Sequence, residues 1–349
     1  MRRPLHLILP VLAAAALVAA GCGSDNNSSS SGSSGGNSSK STPAAKKIKV
    51  GLVTDIGGLN DRSFNQLANQ GLEQSEQTLG VQGRVLPSHA NSDYIPNLSS
   101  LAQQHYDLVI GVGFLMADAM ATVAKKFPNT KFAIIDVDAT TLKGKPTNVQ
   151  GLLFKEQEAG YLAGYMAGLY MKDHGSGGTI SSVGGQKIPP VDHYIAGYQA
   201  GAKAADPGIK TLNGYSQDFV DQAKCKEIAL NQIQQGSKVV FQVAGQCGLG
   251  ALDAAKEKGA QGIGVDADQA YLGSHILTSA EKKVDVAVET AIKNAQSGKF
   301  QGGDTTFDLK NGGVGIGKTN SNGAKYQDKV DQVKQKIISG QITVPDTVK

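Results

Sequence analysis

LVIGVGFLMADAMATVAKKFPNTKFAIIDV, residues 108–137, reads as a buried strand, a helix and a second buried strand. Leu108 to Val112 is a short apolar run with a glycine-rich exit. Ala117 to Lys126 carries helix-forming residues, and Lys131 to Val137 is apolar again. Short apolar strands separated by helices of about ten residues or more imply a parallel sheet covered by helices on both faces.

The pattern extends in both directions. Towards the N-terminus, Ile48 to Thr54 (IKVGLVT) is an opening strand. Ser63 to Leu79 is a helix, with Phe64, Leu67, Ala68, Gly71, Leu72 and Ser75 near helical spacing. Gly83 to Pro87 is a strand and Ile95 to Gln104 a helix. Towards the C-terminus, Val149 to Phe154 is a strand, and a second βα series follows it. Its helices are predicted at Glu156 to Met171, Val191 to Ala204, Asp221 to Gln235 and Leu249 to Lys258. Its strands are predicted at Thr179 to Val183, Ile209 to Tyr215, Val239 to Val243 and Gly262 to Val265. Val284 to Gly298 is a further helix, Thr305 to Leu309 a strand, Asp328 to Ser339 a last helix, and Ile342 to Val348 an extended tail. About 300 residues of globular composition suit two cores better than one.

The first residues have another character. Arg2 and Arg3 precede an apolar run from Leu5 to Ala20, too short for a membrane span of about 20 residues and of the right length for a signal-peptide core. Val18-Ala19-Ala20-Gly21-Cys22 resembles the site cut by lipoprotein signal peptidase, with Ala19 where Leu is most usual. Residues 1–21 are therefore expected to be removed, and Cys22 to carry the lipid. Residues 22–45, nearly all Ser, Gly, Asn and other small residues, are expected to form a tether. The net charge of +4 includes Arg2 and Arg3, which leaves no basic footprint for nucleic acid.

In open α/β sheets ligands bind beyond the carboxyl ends of the strands. There the chain places Asp55 to Asn65, Gly113 to Asp118, Ser216 to Asp221, Ala244 to Gly250 and Asp266 to Gln269. Carboxylates, amides and aromatic faces at one edge suit a polyhydroxylated ligand with a flat ring. Taken singly, each Asp could be a helix N-cap and each Phe a core residue.

With these stretches in order the chain resembles the basic membrane protein family, the purine-nucleoside receptor lipoproteins of ABC importers. The residues that carry the resemblance are DIGGLNDRSFNQ, GVGFLMADA, FKEQEAGYLAGYMAG, VGGQKIPPVDHYIAGYQAGA, VVFQVAGQCGLGALDAAKEKG, GVDADQ and ILTSAEKKVDVAV. The resemblance implies a type I periplasmic-binding-protein fold, two doubly wound lobes with a ligand cleft between them. The expected division is residues 46–150 plus about 274–305 in one lobe, and 151–273 plus about 306–349 in the other. The resemblance further implies that Phe64 and Phe219 stack on a base and that Asp118 binds the base or ribose edge. Asp266 and Lys282 would take ribose hydroxyls, with Asp55, Asn60 and the backbone of Gly245 as further contacts. The expected partners are a nucleoside, an ABC permease, and the membrane through the lipid anchor. The chain is expected to be a monomer on the extracytoplasmic face, with no cofactor, no metal, no nucleic acid and no catalysis. Two departures from the family, SQDFVDQ around Phe219 and the cysteine in GQCGLG, leave pyrimidine nucleosides and other ribose-like ligands or sugars open.

Other readings find fewer of their parts. GGVGIGKT at residues 312–319 matches the P-loop spacing, but the turn-forming Asn320-Ser321-Asn322-Gly323 follows it. The histidines show no paired metal spacing, and no G-x-S-x-G elbow is present. A nucleoside hydrolase, the enzyme alternative, would need more clustered aspartates than Asp266 and Asp268. Cys225 and Cys247, on neighbouring strand exits of an exported domain, are expected to pair. Their disulfide would close a loop of about 21 residues.

Overall fold

The computed structural model describes residues 47–348. The expected signal peptide, the expected lipidation site Cys22 and the expected tether lie outside the described residues. The first lobe is built on a six-stranded sheet in the order β11-β5-β4-β3-β1-β2. Its strands are β1 (Lys49–Val53), β2 (Gln82–Leu86), β3 (Leu108–Gly111), β4 (Lys131–Ile135), β5 (Val149–Phe154) and β11 (Gly303–Phe307), all paired in parallel. Helices α1 (Phe64–Leu79), α2 (Tyr94–Gln103) and α3 (Ala117–Lys126) connect the first four. β3 is buried along its whole length, as the unbroken apolar run LVIG requires of a central parallel strand.

The second lobe repeats the plan in the order β12-β10-β9-β8-β6-β7. It comprises β6 (Thr179–Gly184), β7 (Lys210–Tyr215), β8 (Ser237–Val243), β9 (Gln261–Asp266), β10 (Ile276–Lys282) and β12 (Val314–Ile316), with β12 the antiparallel edge. Helices α4 (Glu156–Asp173) and α5 (Pro189–Ala205) cover one face. Helices α6 (Gln222–Gln234) and α7 (Gly245–Glu257) cover the other. Helix α8 (Val284–Gln296) packs beside α1 in the first lobe. A short α9 (Ser321–Ala324) and α10 (Gln327–Ile338) complete the chain, and α10 lies on α4.

The glycines of FKEQEAGYLAGYMAG explain the α4–α5 pair. A Cβ at Gly160 or Gly164 would overlap the carbonyl oxygens of Tyr194 or Tyr198, and one at Gly197 or Gly201 those of Gln157 or Tyr161. The two backbones therefore pack in direct contact. Helix α4 is buried nearly all round, and among the described residues no helix is long and apolar enough to cross a membrane.

The lobe division differs from the expected one. Strand β10 pairs with β9 in the second sheet, so the return crossing comes after Lys282, not near residue 274. Residues 151–154 belong to β5 of the first sheet. Periodicity hid β10 because its Thr278 and Ser279 are polar yet buried and hydrogen-bonded, Thr278 to the Gly317 carbonyl and Ser279 to the Gln269 amide. The P-loop-like run also resolves: Val314–Ile316 is the edge strand, and no phosphate-cradling turn leads into a long helix.

The chain passes between lobes after Phe154, after Lys282 and after Phe307. These crossings are tied together. The Lys155 amide donates to the Phe307 carbonyl at 2.9 Å, and Lys283 donates to Gly313 at 2.9 Å. The Phe154 and Phe307 rings stack with centroids 5.1 Å apart.

Candidate ligand-binding site

The carboxyl ends of both sheets face a cleft lined by residues of both lobes, the kind of place where small molecules bind. Its first wall begins where β1 ends. Asp61 fastens the start of α1: its carboxylate accepts from the amides of Ser63, Asn65 and Gln66 at 3.1, 2.7 and 3.1 Å. That cap sets Phe64 and Asn65 in the first helical turn, where both line the cleft. The Asn65 side chain in turn accepts from the Asp55 amide at 2.8 Å. Asp55 accepts from the Ile56 amide at 2.7 Å and from the Tyr94 hydroxyl. Burial pushes the Asp55 carboxyl up to about 6 despite these donors. Gly113 passes so close to Asp55 that a side chain there would strike its carboxylate, and Phe114 follows on the wall.

The opposite wall is held by buried amides. Gln242 donates to Gln269 at 2.8 Å and accepts from the Ala244 amide at 3.1 Å. Gln269 also accepts from Val265 at 3.2 Å. This chain fixes the exits of β8 and β9, and with them Gly245 and Asp266. Phe219 lies over Gly185, where no side chain could be accommodated, and its carbonyl accepts from the Cys247 amide at 3.0 Å. Cys225 and Cys247 form a buried disulfide with their Cα atoms 5.6 Å apart, bracing the Phe219 segment against α7.

At the base of the cleft, beside the crossings, stands Lys282. Its ammonium donates to both oxygens of Asp136 at 2.9 and 2.8 Å and to Glu156 at 3.3 Å. It also lies 4.9 Å from the centre of the Phe64 ring. Burial alone would lower its pKa, but Asp136, Glu156 and Asp266 together hold it above the usual lysine value. Burial pushes Asp136 up to about 7, against the pull of Lys282. It pushes Asp266 up to about 6, although the Tyr194 hydroxyl donates to it at 3.2 Å. Glu156 reaches the other way to His193 at 3.1 Å. Burial lowers the His193 pKa, but the Glu156 carboxylate outweighs it and leaves the imidazole above its ordinary value.

Asp136 and Asp266 are counterparts in the two lobes. Asp136 follows β4 and Asp266 ends β9, both with left-handed backbone (φ 68° and 60°). Non-glycine residues in that region are uncommon and are held there by their surroundings.

Of the residues expected at the site, Asp55, Phe64, Phe219, Gly245, Asp266 and Lys282 line the one cleft. Asn60 and Asp118 do not. Asn60 is exposed on a 3-10 turn and faces an outer groove. Asp118 is exposed in the first turn of α3, where the direction of the helix carries it away from the cleft. Gly245 opens α7 instead of lying in a turn before it, so its backbone amide belongs to a helix N-terminus. Asn65 and Phe114 lie within the strand-end stretches but were given no role there, and sequence reasoning passed over Tyr194 and Asp136. For Asp136 a signal existed: Asp136-Val137-Asp138 repeats, one lobe earlier, the strand-end spacing of Asp266-Ala267-Asp268. Tyr194 had none, since it looks like one more aromatic on the buried face of α5.

Among the described residues, no group of three or more His, Cys, Asp or Glu is placed to hold a metal ion.

The Bmp family profile, described as ABC transporter substrate-binding protein PnrA-like, matches residues 48–348. The ABC transporter nucleoside-binding protein BmpA of Lactococcus lactis is 36% identical over 321 residues, covering 85% of this chain and 89% of the relative. An uncharacterized lipoprotein of Pyrococcus abyssi is 39% identical over 283 residues, covering 78% of this chain and 69% of the relative. Among solved structures, an ABC transporter solute-binding protein from Aeropyrum pernix K1 superposes with a TM-score of 0.77 at 29% identity, covering 86% of this chain and 94% of that one. The fold is that of the two-lobed periplasmic solute-binding proteins, and the chain belongs to the Bmp family of PnrA-like ABC transporter substrate-binding proteins.

Proposed function

We propose that this chain captures a nucleoside, a purine nucleoside foremost, between its lobes and hands it to an ABC permease. In this reading it works as a monomer, anchored through a lipid on Cys22 to the extracytoplasmic face of the membrane. The observation that carries the reading is the composition of the cleft. Phe64, Phe114 and Phe219 supply flat apolar walls, while Asp136, Asp266 and Lys282 gather hydrogen-bonding groups at its base. A base needs the former and a ribose diol the latter. The nucleoside-binding relative supports the same assignment, and lipoprotein relatives support the anchor. Walls contributed by both lobes would be completed only on closure, so ligand would shift the population towards the closed form.

Variants at the two ends of the cleft test this reading. Phe64→Ala is expected to weaken nucleoside binding by about 1–3 kcal/mol, the range for lost base stacking. Asp266→Ala is expected to weaken adenosine strongly and adenine hardly at all. Equal losses for adenosine and adenine in titration calorimetry would refute the ribose assignment, and release of free ribose on long incubation would indicate a hydrolase.

A further inference from the structure

We propose that the cleft prefers nucleosides whose base carries a positive charge over their neutral counterparts. This rests on the nucleoside reading above and concerns the base end of the same cleft. Asp55 is 8% exposed and lines the cavity, yet its Oδ2 accepts no hydrogen bond among the described residues. It lies against Gly113, whose missing side chain leaves it room. Asp61, 3% exposed, stands nearby. Among the described residues no basic side chain lines this end. Arg62, next along the chain, interacts with Tyr271 and borders the outer grooves instead.

Lys282 does not redress the balance. Its charge is shared between Asp136 and Glu156, with Asp266 close by, so that group is itself net acidic when ionised. Among the described residues four carboxyl groups and one ammonium line the cleft as a whole. A buried carboxylate without a cation is costly, and its raised pKa is the expression of that cost. Burial holds Asp55 at about 6 for this reason.

The walls suit the same ligand. A cation over the face of a phenylalanine is attracted by the ring quadrupole. The Lys282 ammonium lies 4.9 Å from the Phe64 ring centre, whereas Phe114 and Phe219 have no cation over their rings among the described residues and leave their faces to a charged base. A cationic heterocycle between aromatic faces, with its edge towards Asp55, would gain both terms. A neutral base gains stacking and a hydrogen bond only.

Calorimetry of the full chain at neutral pH tests the proposal with ligands that separate charge from size. 1-Methyladenosine is cationic, whereas adenosine and N6-methyladenosine are neutral, and the last carries the same added methyl. 3-Methylcytidine, cationic at neutral pH, and its neutral isomer 5-methylcytidine form a second such pair. The expected result is binding about tenfold tighter for the cationic member of each pair. In Asp55→Asn this ratio should narrow towards unity. Neutral nucleosides that bind while their cationic isomers bind no tighter, in both series, would overturn the proposal and leave the nucleoside reading standing. Failure of every nucleoside to bind would overturn both.

Discussion

Lys282→Met is expected to destabilise the protein by about 3–5 kcal/mol at neutral pH, the cost of removing one partner from a buried ion pair. Lys282 is 2% exposed, and the side chains of its partners Asp136 and Glu156 are 5% and 2% exposed. Without the ammonium, both carboxylates would have to stay charged in a dry site or take up protons. The loss should therefore depend on pH with a definite sign. Asp136 already sits at about 7 with Lys282 pulling it down, and removing the lysine raises it further above the unfolded value of 3.8. A carboxyl whose folded pKa is raised makes the folded state lose stability as pH rises between the two values. Below about pH 7 the Asp136 carboxyl is protonated in both folded proteins and weighs on both alike, so the deficit of Lys282→Met should be level there. It should grow as pH rises through and above neutrality, where only the wild type can ionise that carboxyl beside an ammonium. Denaturant unfolding of both proteins across that range measures it. A deficit under about 1 kcal/mol at pH 7, or one independent of pH, would mean that the cluster carries little net charge.

The double variant Cys225→Ser, Cys247→Ser is expected to lose about 3 kcal/mol. The bridge spans a sequence separation of 22, and a cross-link of that length restricts the unfolded chain by about that amount. Binding should weaken as well. The bridge braces α6 against α7, and the Cys247 amide holds the Phe219 carbonyl at 3.0 Å, so the aromatic wall would be less pre-organised. Wild-type protein unfolded with and without reductant should reproduce the difference. Coincident unfolding curves in the two conditions would show that the bridge does not form or does not matter.

The sheets were legible because buried parallel strands are continuous apolar runs. LVIGV, KFAII and VVFQV needed no alternation to be seen. The failures have particular causes. ILTSAEK is a central strand whose buried Thr278, Ser279 and Lys282 are each bonded internally, and no hydrophobic pattern records such partners. Its omission moved the lobe boundary. At the site, five of the eight expected residues line the cleft from the strand-end stretches, because topology brings those ends together, while Lys282 was expected only through the resemblance. Strand-end position could not tell which side chains turn inward. Asp118 and Asp61 each sit near a helix start, yet Asp61 is buried at the cleft and Asp118 is exposed. That distinction depends on how each helix leaves its sheet. Asp136 shows the opposite case: its spacing was visible, but only the left-handed turn shared with Asp266 gives it meaning.

Nucleoside capture in the cleft between the two sheets can be measured outright. Titration calorimetry of the purified protein against adenosine, guanosine, inosine, cytidine and uridine, with ribose, arabinose and free adenine alongside, tests it most directly. Saturable binding of at least one purine nucleoside at one site per chain is expected, much tighter than ribose or adenine alone, since each of those would fill only half of the cleft. Tight binding of a sugar with no response to any nucleoside would contradict nucleoside capture.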